Sequence, residues 1–298
     1  MSTRKVALIT GASRGLGEAM AYRFAHNDYH VIVNYRTAKE EAQRVVETIR
    51  NNGGQATALQ ADVSVEEDVD RLITQTLAVE DRIDVLLNNA GLNRDGPFLT
   101  MNVKDFTRVV DVNLVGTFLC TQKVAQTMIE RQIAGSIITI SASTALRGRR
   151  NGANYCAAKA GILALTKCAA LELAPLVRVN CVLPGYMETD EVMERFALHD
   201  PAVRETLEAS IPMQRIGQPD ELAAMVEFLC SDKASYITGQ SFFVCLLIGG
   251  RLMRWVVHRA LLRKGLHHRL FRRLFKGRHL IIPLLIEETP DIISHLIA

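Results

Sequence analysis

Val6-Ala7-Leu8-Ile9-Thr10-Gly11-Ala12-Ser13-Arg14-Gly15-Leu16-Gly17 carries a short apolar run straight into three glycines spaced Gly-x-x-x-Gly-x-Gly. A run with no polar alternation reads as a strand covered on both faces. Glycines directly after it let the backbone turn tightly and come close to a ligand. A helix follows from about Leu16 to His26, and its first N–H groups have no partner within the helix. Strand, glycine turn and helix start together form a cradle for a pyrophosphate.

The same alternation continues along the chain. Strands are expected at 30–34, 56–61, 84–88, 136–141, 178–183 and 241–244. Helices are expected at 39–51, 65–79, 104–131, 151–173, 191–196, 202–209 and 219–230. Apolar strands separated by helices predict an α/β protein: a Rossmann-type doubly wound parallel sheet of about seven strands with helices on both faces.

The bulk numbers agree with a globular body. The chain has 298 residues, 48% hydrophobic and 22% charged. Its net charge of +3 divides into +7 for residues 251–298, from ten Lys/Arg and three Asp/Glu, and −4 for the rest. That shift predicts a domain at 1–250 and a basic, apolar extension at 251–298. An acidic body without a basic patch argues against nucleic acid as partner. The six cysteines are scattered, which predicts reduced thiols, no metal site and a cytoplasmic setting. No apolar signal segment precedes the first strand. In the extension, Leu280 to Ile286 is the longest uncharged run, too short to span a bilayer. Its arginines share faces with its apolar residues, so association with a membrane surface is disfavoured.

Charge at the second strand points to one cofactor over another. That strand ends at Asn34-Tyr35-Arg36, with no acid to take a ribose 2′-hydroxyl. Arg36, with Arg14 in the glycine turn, suits a 2′-phosphate, so NADPH is expected over NADH. Asp62, followed by Val63, is placed to accept from an adenine amino group. Asn88-Asn89-Ala90-Gly91 lets a flat cofactor lie on the backbone.

Tyr155 and Lys159 stand one helical turn apart, where phenol and ammonium share a face. A cation beside a phenol favours the phenolate, which suits proton exchange with an alcohol oxygen.

Taken in order, the Thr10–Gly17 turn, Asp62, Asn88 to Gly91, Asn113, Tyr155/Lys159 and Pro184-Gly185 resemble the short-chain dehydrogenase/reductase family over about residues 4–244. Within it the chain looks most like 3-oxoacyl-[acyl-carrier-protein] reductases, enzymes of fatty acid biosynthesis. The resemblance implies that Tyr155 exchanges the proton. Lys159 would hold the nicotinamide ribose and lower the Tyr155 pKa, and Asn113 would keep a relay water. It places Gly11, Ser13, Arg14, Gly15, Leu16, Gly17, Tyr35, Arg36, Asp62, Val63, Asn89, Ala90, Gly91, Pro184, Gly185, Met187 and Thr189 around the cofactor. Thr189 would bind the carboxamide. A homotetramer is the implied assembly.

Two departures qualify this. The family places a serine thirteen positions before the tyrosine; here that position is Ala142, between Ser141 and Ser143. Ser143 is expected to take its place. The extension is the second departure. The apolar loop after Pro184, roughly 186–213, suits an acyl thioester or a similar ketone. For carrier-protein docking only Arg131 is available, since the loop after Leu173 has no arginine. The expected activity is NADPH-dependent ketone reduction. The alternatives are an alcohol or sugar dehydrogenase, and a nucleotide-binding member with impaired catalysis acting through its extension.

Overall fold

The computed structural model describes residues 4–245, and the expected extension at 251–298 lies outside the described residues. Seven parallel strands form one sheet in the order β3-β2-β1-β4-β5-β6-β7. They are β1 Val6–Ile9, β2 His30–Tyr35, β3 Gln55–Gln60, β4 Val85–Asn88, β5 Gly135–Ile140, β6 Val177–Pro184 and β7 Ser241–Val244. The helices are α1 Gly15–His26, α2 Lys39–Asn51, α3 Glu66–Val79, α4 Val103–Val110, α5 Gly116–Glu130, α6 Thr144–Arg147, α7 Ala153–Leu173, α8 Asp190–Arg195, α9 Pro201–Glu208 and α10 Pro219–Cys230. Among the described residues no helix is long and apolar enough to cross a membrane.

Side chains that alternate along a strand explain the two layers. Ala7, Ile9, Val31 and Val33 pack with Met20, Phe24, Val45 and Val226 from α1, α2 and α10. Val6, Leu8 and Ile32 point the other way, to Leu72, Leu119, Val124 and Met128 from α3 and α5. Both faces of β1 and β2 are therefore buried, as their unbroken apolar runs predict.

The sheet grows outward from β1 in one direction and from β4 in the other. The order reverses between these neighbours, and a crevice opens there beyond the strand ends. Gly11 after β1 and Ala90 after β4 line it; a Cβ on Gly11 would lie 2.9 Å from Ala90 Cα.

Two local features differ from expectation. The helix expected over 104–131 is not continuous: a π-helical turn, Asp111–Val115, separates α4 from α5. Asn113 is at its centre, and its amide donates to Leu92 O and Val109 O, both at 2.8 Å. The side chain thus competes with the regular ladder and widens the helix. The second difference is the short helix α6, which occupies the segment between β5 and α7.

Candidate active site

The glycine turn is held by side chains from two neighbouring strands. Thr10 Oγ1 donates to Leu87 O and accepts from the N–H groups of Asn89 and Ala90, both at 3.0 Å. The Asn89 amide donates to Thr10 O at 3.0 Å and Gly11 O at 2.9 Å. From β2, buried Asn34 accepts from Gly11 N–H at 3.2 Å and donates to Leu59 O and Ala61 O. Asn34 was legible only as a position lacking an acid; its role as an anchor depends on strand pairing. Gly11 and Gly15 have φ of +60° and +59°, the left-handed region that favours glycine. A Cβ on Gly17 would meet Gly11 O and come within 2.6 Å of Asn89 Nδ2.

The N-cap of α1 is Arg14, whose side chain makes no capping hydrogen bond. The first N–H groups at Gly15, Leu16 and Gly17 therefore face the crevice without a side-chain acceptor. Ser13 is buried behind the turn.

Tyr35 is buried at the end of β2, while the Arg36 side chain is half exposed, with a guanidinium nitrogen 3.8 Å from Asp62. Asp62 is more engaged than expected. Its carboxylate accepts from Ser64 Oγ at 2.6 Å and from Arg108 at 2.7 Å. Partial burial alone would raise its pKa, but hydrogen bonds from Ser64 and Arg108 hold it below the usual carboxylate range. Arg108 lies 46 residues away on α4 and carries no sequence signal of this contact. Val63 is buried and fills the space left by Gly116.

Across the crevice, Gly185 N–H donates to Val244 O at 2.8 Å, which fixes the exit from β6. Pro184 pairs in register with Val244. Met187 is buried and bridges to Gly217. Thr189 caps α8 through Val192 N–H, and its methyl carbon lies 3.5 Å from a Cβ built on Gly15. The loop after β6 thus reaches back to the glycine turn.

Tyr155 and Lys159 are on the first turns of α7, beside the end of β5. Lys159 is buried, and its Nζ donates to Ile140 O at 2.7 Å and lies 5.6 Å from the Tyr155 ring centroid. A Cβ on Gly91 would be 3.1 Å from Asn113 Oδ1 and 3.9 Å from Lys159 Nζ. The loop after β4, the π turn and α7 therefore converge on one point.

The expected depression of the Tyr155 pKa by Lys159 is not what this structure gives. Burial pushes the phenol up to about 12, with Glu191 adding to the effect and Arg149 and Arg195 opposing it. Burial also pushes Lys159 down to about 8. The ammonium donates to Ile140 O and is not among the main influences on the phenol. Instead the Arg149 guanidinium lies over the Tyr155 ring, 4.6 Å from its centroid.

The two candidate serines are in different environments. Ser141 is buried and donates to Lys159 O at 2.8 Å, so its hydroxyl is occupied in supporting α7. Ser143 stands at the N-cap of α6 without a side-chain capping bond. Beyond the site, an apolar hollow of about 550 Å³ is lined by Phe196, Leu198, Ala202, Val203, Thr206 and Leu207. Arg131 is paired with Asp81 at 2.6 Å.

The described residues fit a nicotinamide dinucleotide: a glycine cradle with no room for a Cβ at Gly11 or Gly17, orphan N–H groups at α1, and Arg36 at the rim. When bound, the nicotinamide supplies or accepts the hydride. Among the described residues no cluster of His, Cys, Asp or Glu could hold a metal ion.

Comparison with known proteins places this geometry among relatives. Residues 11–245 match the profile of the family described as enoyl-(acyl carrier protein) reductase. A 3-oxoacyl-[acyl-carrier-protein] reductase of Synechocystis sp. is 45% identical over 244 residues, covering 81% of this chain and 96% of that protein. A 3beta-hydroxysteroid dehydrogenase of Eggerthella lenta is 40% identical, covering 80% and 92%. An actinorhodin polyketide ketoreductase solved with NADPH superposes with a TM-score of 0.77 at 31% identity, covering 82% and 98%.

Proposed function

Because the chain belongs to the short-chain dehydrogenase/reductase family, we propose that it is an NADPH-dependent ketoreductase that reduces a 3-oxoacyl thioester or similar ketone to the hydroxy product. The observation that carries this reading is the convergence of Asn113, Gly91 and Lys159 beside Tyr155.

Tyr155 gives its phenolic proton to the carbonyl oxygen as negative charge develops there. Its raised pKa keeps the proton in place until that moment, as a general acid requires. Ser143 donates a second hydrogen bond to the same oxygen in place of the absent hydroxyl at Ala142. Lys159 holds the nicotinamide ribose, and Asn113 keeps the relay water that returns a proton toward Tyr155. Gly15, Leu16 and Gly17 bind the pyrophosphate, Asp62 the adenine and Arg36 the 2′-phosphate, while Thr189 binds the carboxamide. The apolar hollow lined by α9 and the segment leading into it accepts the acyl group. Exposed Phe106, Phe118 and Leu171 on α4, α5 and α7 support assembly as a homo-oligomer, a tetramer by family resemblance.

The test is NADPH oxidation with a short 3-oxoacyl thioester by the wild type and by Tyr155→Phe. Turnover abolished by Tyr155→Phe is expected. Unchanged turnover in the variant, or none in the wild type on a panel of ketones, would overturn the reading.

A further inference from the structure

Tyr155 stands below a charged bridge that the chemistry above does not use. Arg149, whose guanidinium covers the phenol ring, donates to Asp95 Oδ1 at 2.6 Å and to Asn93 Oδ1 at 2.9 Å. The other oxygen of Asp95 accepts from Arg195. Arg195 is the last residue of α8 and also faces Glu191 at 3.4 Å. Glu191 in turn accepts from the Asn93 amide at 2.8 Å. One carboxylate therefore joins the loop before α7 to the helix that follows β6, across 54 residues on one side and 100 on the other.

We infer that Asp95 is a positioning residue, which holds Arg149 on the Tyr155 ring and ties that placement to closure of α8 over the site. The inference rests on the reading of Tyr155 as the proton-exchanging group. A carboxylate can accept from two guanidinium groups at once, one on each oxygen; an amide offers only one acceptor oxygen and no charge. Without Asp95, Arg149 keeps the neutral Asn93 contact and the Tyr155 ring but no carboxylate, and Arg195 keeps Glu191 and the Phe196 ring. A guanidinium over an aromatic face is drawn to the ring, and its charge favours the phenolate. The other charged or titratable groups around Tyr155 are Lys159 and Cys156 on α7 and Glu191 and Arg195 on α8.

The sign of one shift separates this role from its rival. In the alcohol-oxidising direction, kcat/KM rises with pH over the whole range below the Tyr155 pKa as the phenolate fraction grows, so a change in that pKa is read as a displacement of the rising limb. Removing the Asp95 charge by its field alone would favour the phenolate and move that rise to lower pH. If Asp95 positions Arg149, Asp95→Asn lets the cation leave, and the rise moves to higher pH.

The experiment is the pH profile of kcat/KM for the wild type, Asp95→Asn, Asp95→Glu and Arg149→Gln, paired with limited trypsin digestion read by mass spectrometry without cofactor or substrate. Asp95→Asn and Arg149→Gln are expected to move the rise upward, and Asp95→Glu to restore it. Cleavage after Arg149 and Arg195 is expected several-fold faster in Asp95→Asn and near wild type in Asp95→Glu. A downward or absent shift, or an unchanged digest, would overturn the inference. Should the wild type turn over no substrate, the proposed function fails, while the digest alone still decides whether Asp95 joins the two segments.

Discussion

Lys159 Nζ donates a 2.7 Å hydrogen bond to the carbonyl oxygen of Ile140, so the ammonium of the candidate site is held by the end of β5 and not by the phenol. Its burial lowers the pKa to about 8. In the unfolded chain the lysine keeps its proton to about pH 10.4. Between those values the unfolded state binds more protons, so this group makes folding stability rise with pH. Unfolding free energy of the wild type minus that of Lys159→Met is expected to climb by on the order of 1 kcal/mol per pH unit above pH 8. Denaturant titrations at pH 7.5, roughly 8.5 and 9.5 measure it; a flat difference would show that the ammonium is not penalised by burial.

Ser141 and Ser143 are expected to separate cleanly. Ser141→Ala removes a buried bond to Lys159 O and costs about 1 kcal/mol of stability. Ser143→Ala leaves stability near wild type and lowers kcat roughly 10²–10³-fold, the usual effect of losing one oxyanion donor. Restoring a hydroxyl with Ala142→Ser in the Ser143→Ala background should recover most of that rate. Equal loss from both single variants would remove Ser143 from its assigned role.

Arg36 is predicted to set cofactor choice. Arg36→Ala removes a charge-assisted contact to the 2′-phosphate, and kcat/KM for NADPH should fall about 10–100-fold. The value for NADH should change little, since Arg36 has no counterpart group there. Parallel losses for both cofactors would mean that Arg36 acts only through its 3.8 Å contact with Asp62.

Gly17→Ala is expected to damage the cradle. The added carbon would press on Gly11 O and Asn89 Nδ2, which are hydrogen-bonded to each other, with Asn89 Nδ2 also held by Thr10 O. Overpacking of this kind costs about 1–3 kcal/mol. Thermal unfolding should register it, and nicotinamide fluorescence should show NADPH binding lost.

The strands and nearly all helices were legible because local signals agreed: apolar runs for β1, β2 and β4, and glycines directly after β1. The glycine turn was legible for the same reason, since its backbone geometry comes from consecutive residues. Asn34 and Arg108 were not, because their partners arrive through strand pairing and helix packing. The Asp95 bridge spans separations of 54 and 100 residues that no motif spacing encodes. The raised proton affinity of Tyr155 has no sequence signal for a related reason. A one-turn spacing shows that two groups can meet, but burial, fixed by the whole fold, decides which charge survives. The interruption in 104–131 has no sequence signal, because Asp111-Val112-Asn113-Leu114-Val115 keeps an ordinary helical pattern.

That interruption has a consequence for which sequence changes the protein can survive. One residue added to a regular helix turns everything after it by about 100°. The wide turn at Asp111–Val115 absorbs such a residue, so Asn113 can point at the site while Leu119, Val124 and Met128 still face the sheet. Deleting one residue there would close the wide turn into a regular one and leave α5 in phase, so the apolar stripe would stay on the sheet while Asn113 lost its aim at the site. The segment should therefore survive the loss of one residue as a fold but not as a site, whereas the gain of a second extra residue would rephase α5.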